Sequence, residues 1–456
     1  MTPTQFIAAI NANLLALYGT GNYTTMTNVN QLTFDATLNT NLSRLDTYVG
    51  SRGSYYEGLL NSNFTGIYHG IFDTAFINTL SDFCVTFFGV AGHYFNGKTY
   101  LVFQSVSNDN PYIICYTHAT NTWSTTVLIA SNPLGPHDEH GEPTLLIDST
   151  GYIHVMFGSH GTAIYYSKST NPEDISSWVA MTSPVIGSYP QLLQLSNGNI
   201  YLFYRDLAGN YWDYITSSNG GTTWGAPISV VATDIAYWEF KKGTGDIIHG
   251  CGTTYPGTTG WDRHNVYYVY FNGTNWKNIK GVTLTPPVTN ASSDVLVYDS
   301  GSNYISNAVC GFDNSNNPYI LFTEGFGEIG TYNYRVAKWN GSAWVIYNLG
   351  VTTDRFREVA MCFDVISATH FDAYVVTGGV ADALGGNIEK WSSLDGGVTW
   401  NKMASILAGQ FINPKLVKDY NSNAKVFVGQ LKGSELWNNP GYLYGDNGFI
   451  GKRIDN

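Results

Sequence analysis

The stretch His137-Asp-Glu-His140-Gly-Glu-Pro-Thr-Leu-Leu-Ile-Asp148-Ser-Thr-Gly151-Tyr-Ile-His154-Val-Met-Phe-Gly-Ser-His160 places alternating apolar residues on both sides of the quartet Asp148 to Gly151. That pattern reads as two antiparallel strands joined by a tight turn. With Asp148 paired to Gly151, His140 falls opposite Ser159 and beside His160. A second stretch repeats the arrangement: Tyr189-Pro-Gln-Leu-Leu-Gln-Leu195, the turn Ser196-Asn-Gly-Asn199, then Ile200-Tyr-Leu-Phe-Tyr-Arg205. Its register sets Tyr189 within one residue of the position facing Arg205. Each hairpin therefore carries a pair of proton-handling or charged groups at its open end, as an active site would.

The surrounding composition favours the same architecture. Among 456 residues there are 49 Gly, 33 Tyr, 23 Phe and 12 Trp but only 12% charged residues, which suits short aromatic strands and tight turns better than long amphipathic helices. The net charge of −12 and the lack of a basic run argue against nucleic acid as a partner. Five cysteines, at 84, 115, 251, 310 and 362, form no CxxC pair and are expected to be buried small hydrophobes, not a disulfide framework. No stretch approaches a membrane span, so no membrane insertion is expected. The amino terminus lacks a signal-peptide pattern, so export by an ordinary signal peptide is not expected.

Strand, short polar turn, strand recurs along most of the chain. The turns fall near Asn96, Ser149, Asn197, Thr244, Asn314, Ser367 and Asn421. Spacings of about 50 residues, with one of about 70, suggest propeller blades, and seven copies imply seven blades. Six aromatic-ended units support the count, at Trp123, Trp178, Trp224, Trp276, Trp344 and Trp400. Ser217 to Trp224 and Ser393 to Trp400 resemble the Asp-box hairpin, a structural turn, with Asn219 where Asp is usual in the first.

The expected fold is thus all-β: a seven-bladed β-propeller over residues 81–456, preceded by a small, partly helical segment over residues 1–80. Thr4 to Tyr18 has apolar residues at helical spacing, and Gly19 is placed to end it. This apolar, almost uncharged segment needs a surface to cover, either the propeller itself or a partner. Its second reading is an oligomerisation or attachment segment, giving a homo-oligomer or virion attachment.

Asp138-Glu-His140, Ile147-Asp-Ser-Thr-Gly-Tyr-Ile-His154-Val, Gly158-Ser-His160, Tyr165-Tyr-Ser167, Asn171-Pro-Glu-Asp-Ile, Ser188-Tyr-Pro190 and Tyr204-Arg205 follow one another as in a known family. The run resembles the propeller-type ulvan lyases and their BNR-repeat relatives, strongly over about residues 130 to 225 and not over the first 80. Gly141 departs from the pattern, standing where a polar residue is usual. The resemblance implies a polysaccharide lyase that cleaves an acidic, uronate-containing polysaccharide such as ulvan by β-elimination. Elimination needs a group to take the C5 proton, a cation at the C6 carboxylate and a proton for the leaving O4 oxygen. By carry-over, His140 and Tyr189 are the acid/base pair, with the two roles left open between them. Arg205, with its permanently charged fork, and His160 would neutralise and position the uronate.

Weaker candidates surround these. His137 and Glu142 read as rim groups for substrate, and Arg263 and His264, in Trp261-Asp-Arg-His264, as further carboxylate or sulfate contacts. His154 alternates with Tyr152 and reads as packing. No cofactor is required, but His249 and Cys251, two apart on one strand with His264 downstream, suggest a structural metal ion, Zn or Ca, although the spacing is no recognised zinc pattern. Competing functions are a sialidase-like glycosidase, against which the scarcity of arginine counts, and a non-catalytic glycan-binding or adhesin propeller. The uncharged N-terminal segment and the low charge also resemble phage tail fibres, which would make the chain a tail depolymerase; the two resemblances imply an extracellular or virion-associated location.

Overall fold

The computed structural model describes residues 72–73, 75–77, 88–105, 109–132, 139–206, 211–232, 237–254, 263–289, 293–326, 332–353, 361–378, 385–430, 441–450 and 452–453. The helix read over Thr4 to Tyr18 lies outside these residues, as do Cys84, His137 and Trp261. The chain divides into two compact units, one of residues 1–74 with 451–456 and one of residues 75–450. In the first, Phe72–Asp73 pairs antiparallel with Lys452–Arg453.

The second unit is all-β. Each of the seven turns joins two antiparallel strands. The first pairs are Gly92–Phe95 with Lys98–Gln104, Thr144–Ile147 with Ile153–Phe157, and Ile186–Gln194 with Ile200–Asp206. Tyr237–Lys242 with Ile248–Thr254 and Tyr304–Phe312 with Pro318–Gly325 follow. Met361–Val365 with Phe371–Thr377 and Asn401–Asn421 with Ala424–Gln430 complete the series. A third strand extends each hairpin, for example Tyr211–Ser217 and His264–Phe271. Trp178, Trp276 and Trp344 open outer strands. The strand Ala75–Ile77 pairs with Gly441–Gly445, so residues from opposite ends of the unit share a sheet.

The hairpin registers differ by one residue from the expected ones. Leu146 faces His154, and Leu192 faces Leu202. The turns are longer than a two-residue loop: Asp148 N donates to Tyr152 O and Leu195 N to Asn199 O, with Gly151 and Gly198 at φ of 88° and 86°. A third loop residue in the left-handed region fits the right-handed twist of the strands, and glycine takes it at no steric cost. Asp148 holds its turn by accepting from Thr150 N at 2.9 Å and Tyr152 N at 3.0 Å, and its other oxygen meets His154 Nε2 at 3.0 Å. His154 is buried, with Nδ1 2.6 Å from the Tyr166 hydroxyl, and so acts in packing.

Both Asp-box loops make the same bonds. Asn219 Oδ1 accepts from Thr223 N and Asp395 Oδ1 from Thr399 N, each at 2.9 Å. Asn219 replaces Asp because the loop needs an acceptor and not a charge. The second strands Ile248–Thr254, Pro318–Gly325 and Phe371–Thr377 are buried along their whole length, since both faces are covered by neighbouring sheets. Phe203 and Phe240 stack at 4.2 Å across two such sheets, and burying each side chain contributes about 2 kcal/mol. Cys115, Cys251, Cys310 and Cys362 are free and buried, as small core hydrophobes are.

Candidate active site

His140 sits in a single 3-10 turn, Glu139–Gly141, ahead of the strand Thr144–Ile147. Gly141 O accepts from Gly158 N at 2.8 Å, which ties this turn to the end of the facing strand. Gly158 has φ of 69° and turns the chain out of its hairpin. His160 consequently opens a new strand, His160–Ala163, that pairs with Ile186–Gln194 of the next sheet. The histidines therefore do not share the end of one hairpin: His140 lies in the turn ahead of one sheet, and His160 opens an edge strand of the next.

A row of residues then crosses three strands. His160 is paired with Ser188, and Ser188 with Arg205. Ser188 Oγ accepts from Gly161 N at 2.8 Å and fixes the His160 strand. Between Ser188 and Gln191 the ladder bulges, and Tyr189 adopts φ of 56°. A bulky residue held there costs about 1–3 kcal/mol and persists only where the surroundings over-determine it. The Tyr189 ring is 4% exposed and set edge-on to Phe88 at 5.1 Å.

The result is a compact cluster. The His140 and His160 rings are parallel within 5° with centroids 3.6 Å apart, and His140 lies 5.1 Å from the Tyr189 ring. The Arg205 guanidinium is 4.6 Å from the Tyr189 ring and 5.3 Å from that of Tyr237. Arg263 stacks on Tyr237 at 3.8 Å and is itself buried, its Nη1 3.5 Å from Asn307 Oδ1. Four of the expected residues are therefore brought together, and Tyr237 links Arg263 to them. Tyr237 and Ser188 were missed; the only signal for Tyr237 was its place at the head of a strand, Tyr237–Lys242, in the sheet following that of Tyr189.

Other candidates fall elsewhere. Glu142 is 2% exposed and not at a rim, because Pro143 leads the chain directly into a buried strand. Its charge acts on buried Lys415, whose ammonium is pulled down to about 8 by burial, opposed by Glu239, assisted by Lys241 and opposed again by Glu142. His264 Nδ1 donates to Asn303 O at 2.9 Å, and its ring packs 5.3 Å from Tyr304. His249 Nδ1 lies 2.7 Å from the Tyr268 hydroxyl, whereas the Cys251 thiol is directed to Ala308 O at 3.6 Å. Among the described residues no three His, Cys, Asp or Glu side chains are grouped to hold a metal ion. Nor is any described helix long and apolar enough to cross a membrane.

Successive antiparallel meanders with a His/Tyr/Arg cluster at the ends of their inner strands define a propeller-like repeat protein. The model of the BNR repeat-containing family matches residues 98–351, more than half of the chain, and the chain belongs to that family. An ulvan lyase of Nonlabens ulvanivorans is 28% identical over 414 residues, covering 79% of this chain and 86% of that protein. An ulvan lyase of Alteromonas sp. (strain LOR) is 28% identical over 420 residues, covering 79% and 84%. The solved structure of a polysaccharide lyase, an ulvan lyase bound to -[GlcA(1-4)Rha3S]-, matches with a TM-score of 0.74 at 25% identity over 84% of this chain and 98% of that chain.

Proposed function

We propose that this chain is a polysaccharide lyase that cleaves ulvan, an acidic uronate-containing polysaccharide, by β-elimination. The observation that carries the reading is the cluster itself: two stacked imidazoles, a phenol and a guanidinium within ring-contact distance of one another. Arg205 supplies a fixed positive charge for the uronate carboxylate, whose negative charge grows as the C5 proton leaves. His140 and Tyr189 exchange protons with C5 and O4, and His160 holds the sugar against Arg205.

In this reading residues 81–456 form seven blades; the seven hairpins and the pairing of Ala75–Ile77 with Gly441–Gly445 support the count. Residues 1–80 serve attachment or oligomerisation, and the enzyme works outside the cell or on a virion. The tail-fibre comparison rests on composition alone. Incubating the protein with ulvan and following the ultraviolet absorbance of unsaturated uronate tests the function. Cleavage without that absorbance means hydrolysis and a glycosidase; binding without cleavage means an adhesin.

A further inference from the structure

A cavity of about 530 Å³ is lined by two successive sheets, those containing Ile248–Thr254 and Pro318–Gly325. It is remote from the catalytic cluster. Arg263 stands just ahead of the strand His264–Phe271 and Tyr270 lies seven residues further on, which at about 3.3 Å per residue separates them by roughly 20 Å.

The lining is aromatic with hydroxyl and amide groups at its mouth. Tyr270 and Trp339 are half-buried, while Tyr268 and His249 are buried and in mutual contact. Trp339 is braced edge-on against Trp344 at 5.6 Å, which in turn rests on Tyr268 at 5.8 Å. Ser315 and Asn317 are exposed on the turn that wraps Asp313.

Among the described residues, no Lys, Arg, Asp or Glu lines the cavity. The neighbouring Asp313 carboxylate is occupied by Ser315 N at 2.9 Å, Asn317 N at 3.0 Å and Asn317 Nδ2 at 2.9 Å. Lys277 and Lys338, on flanking strands, donate to the carbonyls of Gly281 and Gly396. Burial keeps His249 uncharged, down to about 4. An anion placed here would lose water and meet only the Lys338 ammonium, 6.0 Å over the Tyr319 ring and held by Gly396 O. A pyranose has an apolar C–H face suited to Tyr and Trp rings and hydroxyls suited to Ser and Asn.

We propose that this cavity is a second carbohydrate-binding site that takes an uncharged sugar unit, stacked on Trp339 and Tyr270 and hydrogen-bonded by Ser315 and Asn317. A second site on one chain raises the effective concentration of polymer at the first. The site stands whether or not the cluster is a lyase centre.

The test is calorimetric titration of the full chain with xylotriose, cellotriose, maltotriose and a uronate trisaccharide, each up to about 10 mM, the range of weak single-site binding. At least one neutral trisaccharide should bind; Trp339→Ala should lose that binding at least tenfold and Tyr270→Phe retain it. Tyr270→Leu, which removes the ring but not the apolar bulk, should also lose it with the melting temperature preserved. Binding of the uronate trisaccharide should be unchanged in all three variants. Absence of neutral-sugar binding, binding unaffected by both Trp339→Ala and Tyr270→Leu, or loss of acidic-sugar binding in those variants overturns the proposal.

Discussion

In the proposed elimination, Tyr189 and His140 are the groups whose removal should separate chemistry from binding. Tyr189→Phe leaves the ring against Phe88 and deletes only the hydroxyl, and His140→Ala deletes the stacked partner of His160. Each is expected to lower the rate of unsaturated-uronate formation by about 100-fold with polymer binding retained. Arg205→Lys keeps a charge but not the fork, and a comparable loss in kcat is expected. Full activity in both Tyr189→Phe and His140→Ala would remove them from the proton-transfer step. The convergence of His140, His160, Tyr189 and Arg205 was legible from the family resemblance and from hairpin ends that lie close in sequence, although His140 sits in a turn and His160 in the next sheet. The Arg263–Tyr237 stack was not, because it joins residues from different strands of a sheet that no local spacing connects to the cluster.

Between elements, the geometry of the His/Tyr/Arg cluster depends on Gly158. Its φ of 69° and its bond to Gly141 O release His160 from one sheet to the next. A Cβ there would stand 2.7 Å from Asn132 Oδ1, in a conformation that L residues avoid. Gly158→Ala should therefore destabilise the protein by about 1–3 kcal/mol and lower activity below what the remaining folded fraction explains. Thermal melting beside initial rates at a temperature well below the transition checks this; a variant with native rate and native melting would refute it. The hairpins themselves were readable from alternation, but their registers were not. Alternation fixes which face a residue occupies, whereas loop length fixes its partner, and Asp148 to Tyr152 takes three loop residues where two were assumed.

For the molecule as a whole, buried histidines set the response to acid. Burial holds His93 down to about 4 despite its hydrogen bond to Asp419, with Lys418 pulling the same way as burial, and His249 down to about 4. An unfolded chain protonates these rings near 6.5. Their contribution to stability is present above pH 6.5 and is lost as the pH falls towards 4. The melting temperature should be flat from pH 7 to 8 and fall from pH 6.5 to 4.5, and a flat profile throughout would contradict the assignment. The second test at this scale is truncation. A chain beginning at residue 75 retains the strand Ala75–Ile77, whereas one beginning at residue 78 leaves bare the Gly441–Tyr442 end of an edge whose other end is covered by Gly448–Phe449. The shorter chain should melt lower and aggregate, as measured by thermal shift and light scattering. Repeating turns made the succession of sheets legible from sequence; the Ala75–Ile77 partnership was not, because three residues carry too little pattern to name a partner at the far end of the unit.

That same partnership governs the order of events during synthesis. Most sheets over residues 92–430 can assemble from neighbours in the sequence as they leave the ribosome, but Gly92–Phe95 must wait for Asn401–Asn421, which it meets through His93 and Lys418, and Ala75–Ile77 must wait for Gly441–Gly445. Such non-local pairing is slow, because loop-closure entropy is spent before the contact forms. Until then the nascent chain displays unpaired strand edges at both ends, open to docking with another unfinished copy. Co-expressed chaperones or slower translation should therefore improve soluble yield chiefly by shielding this last step.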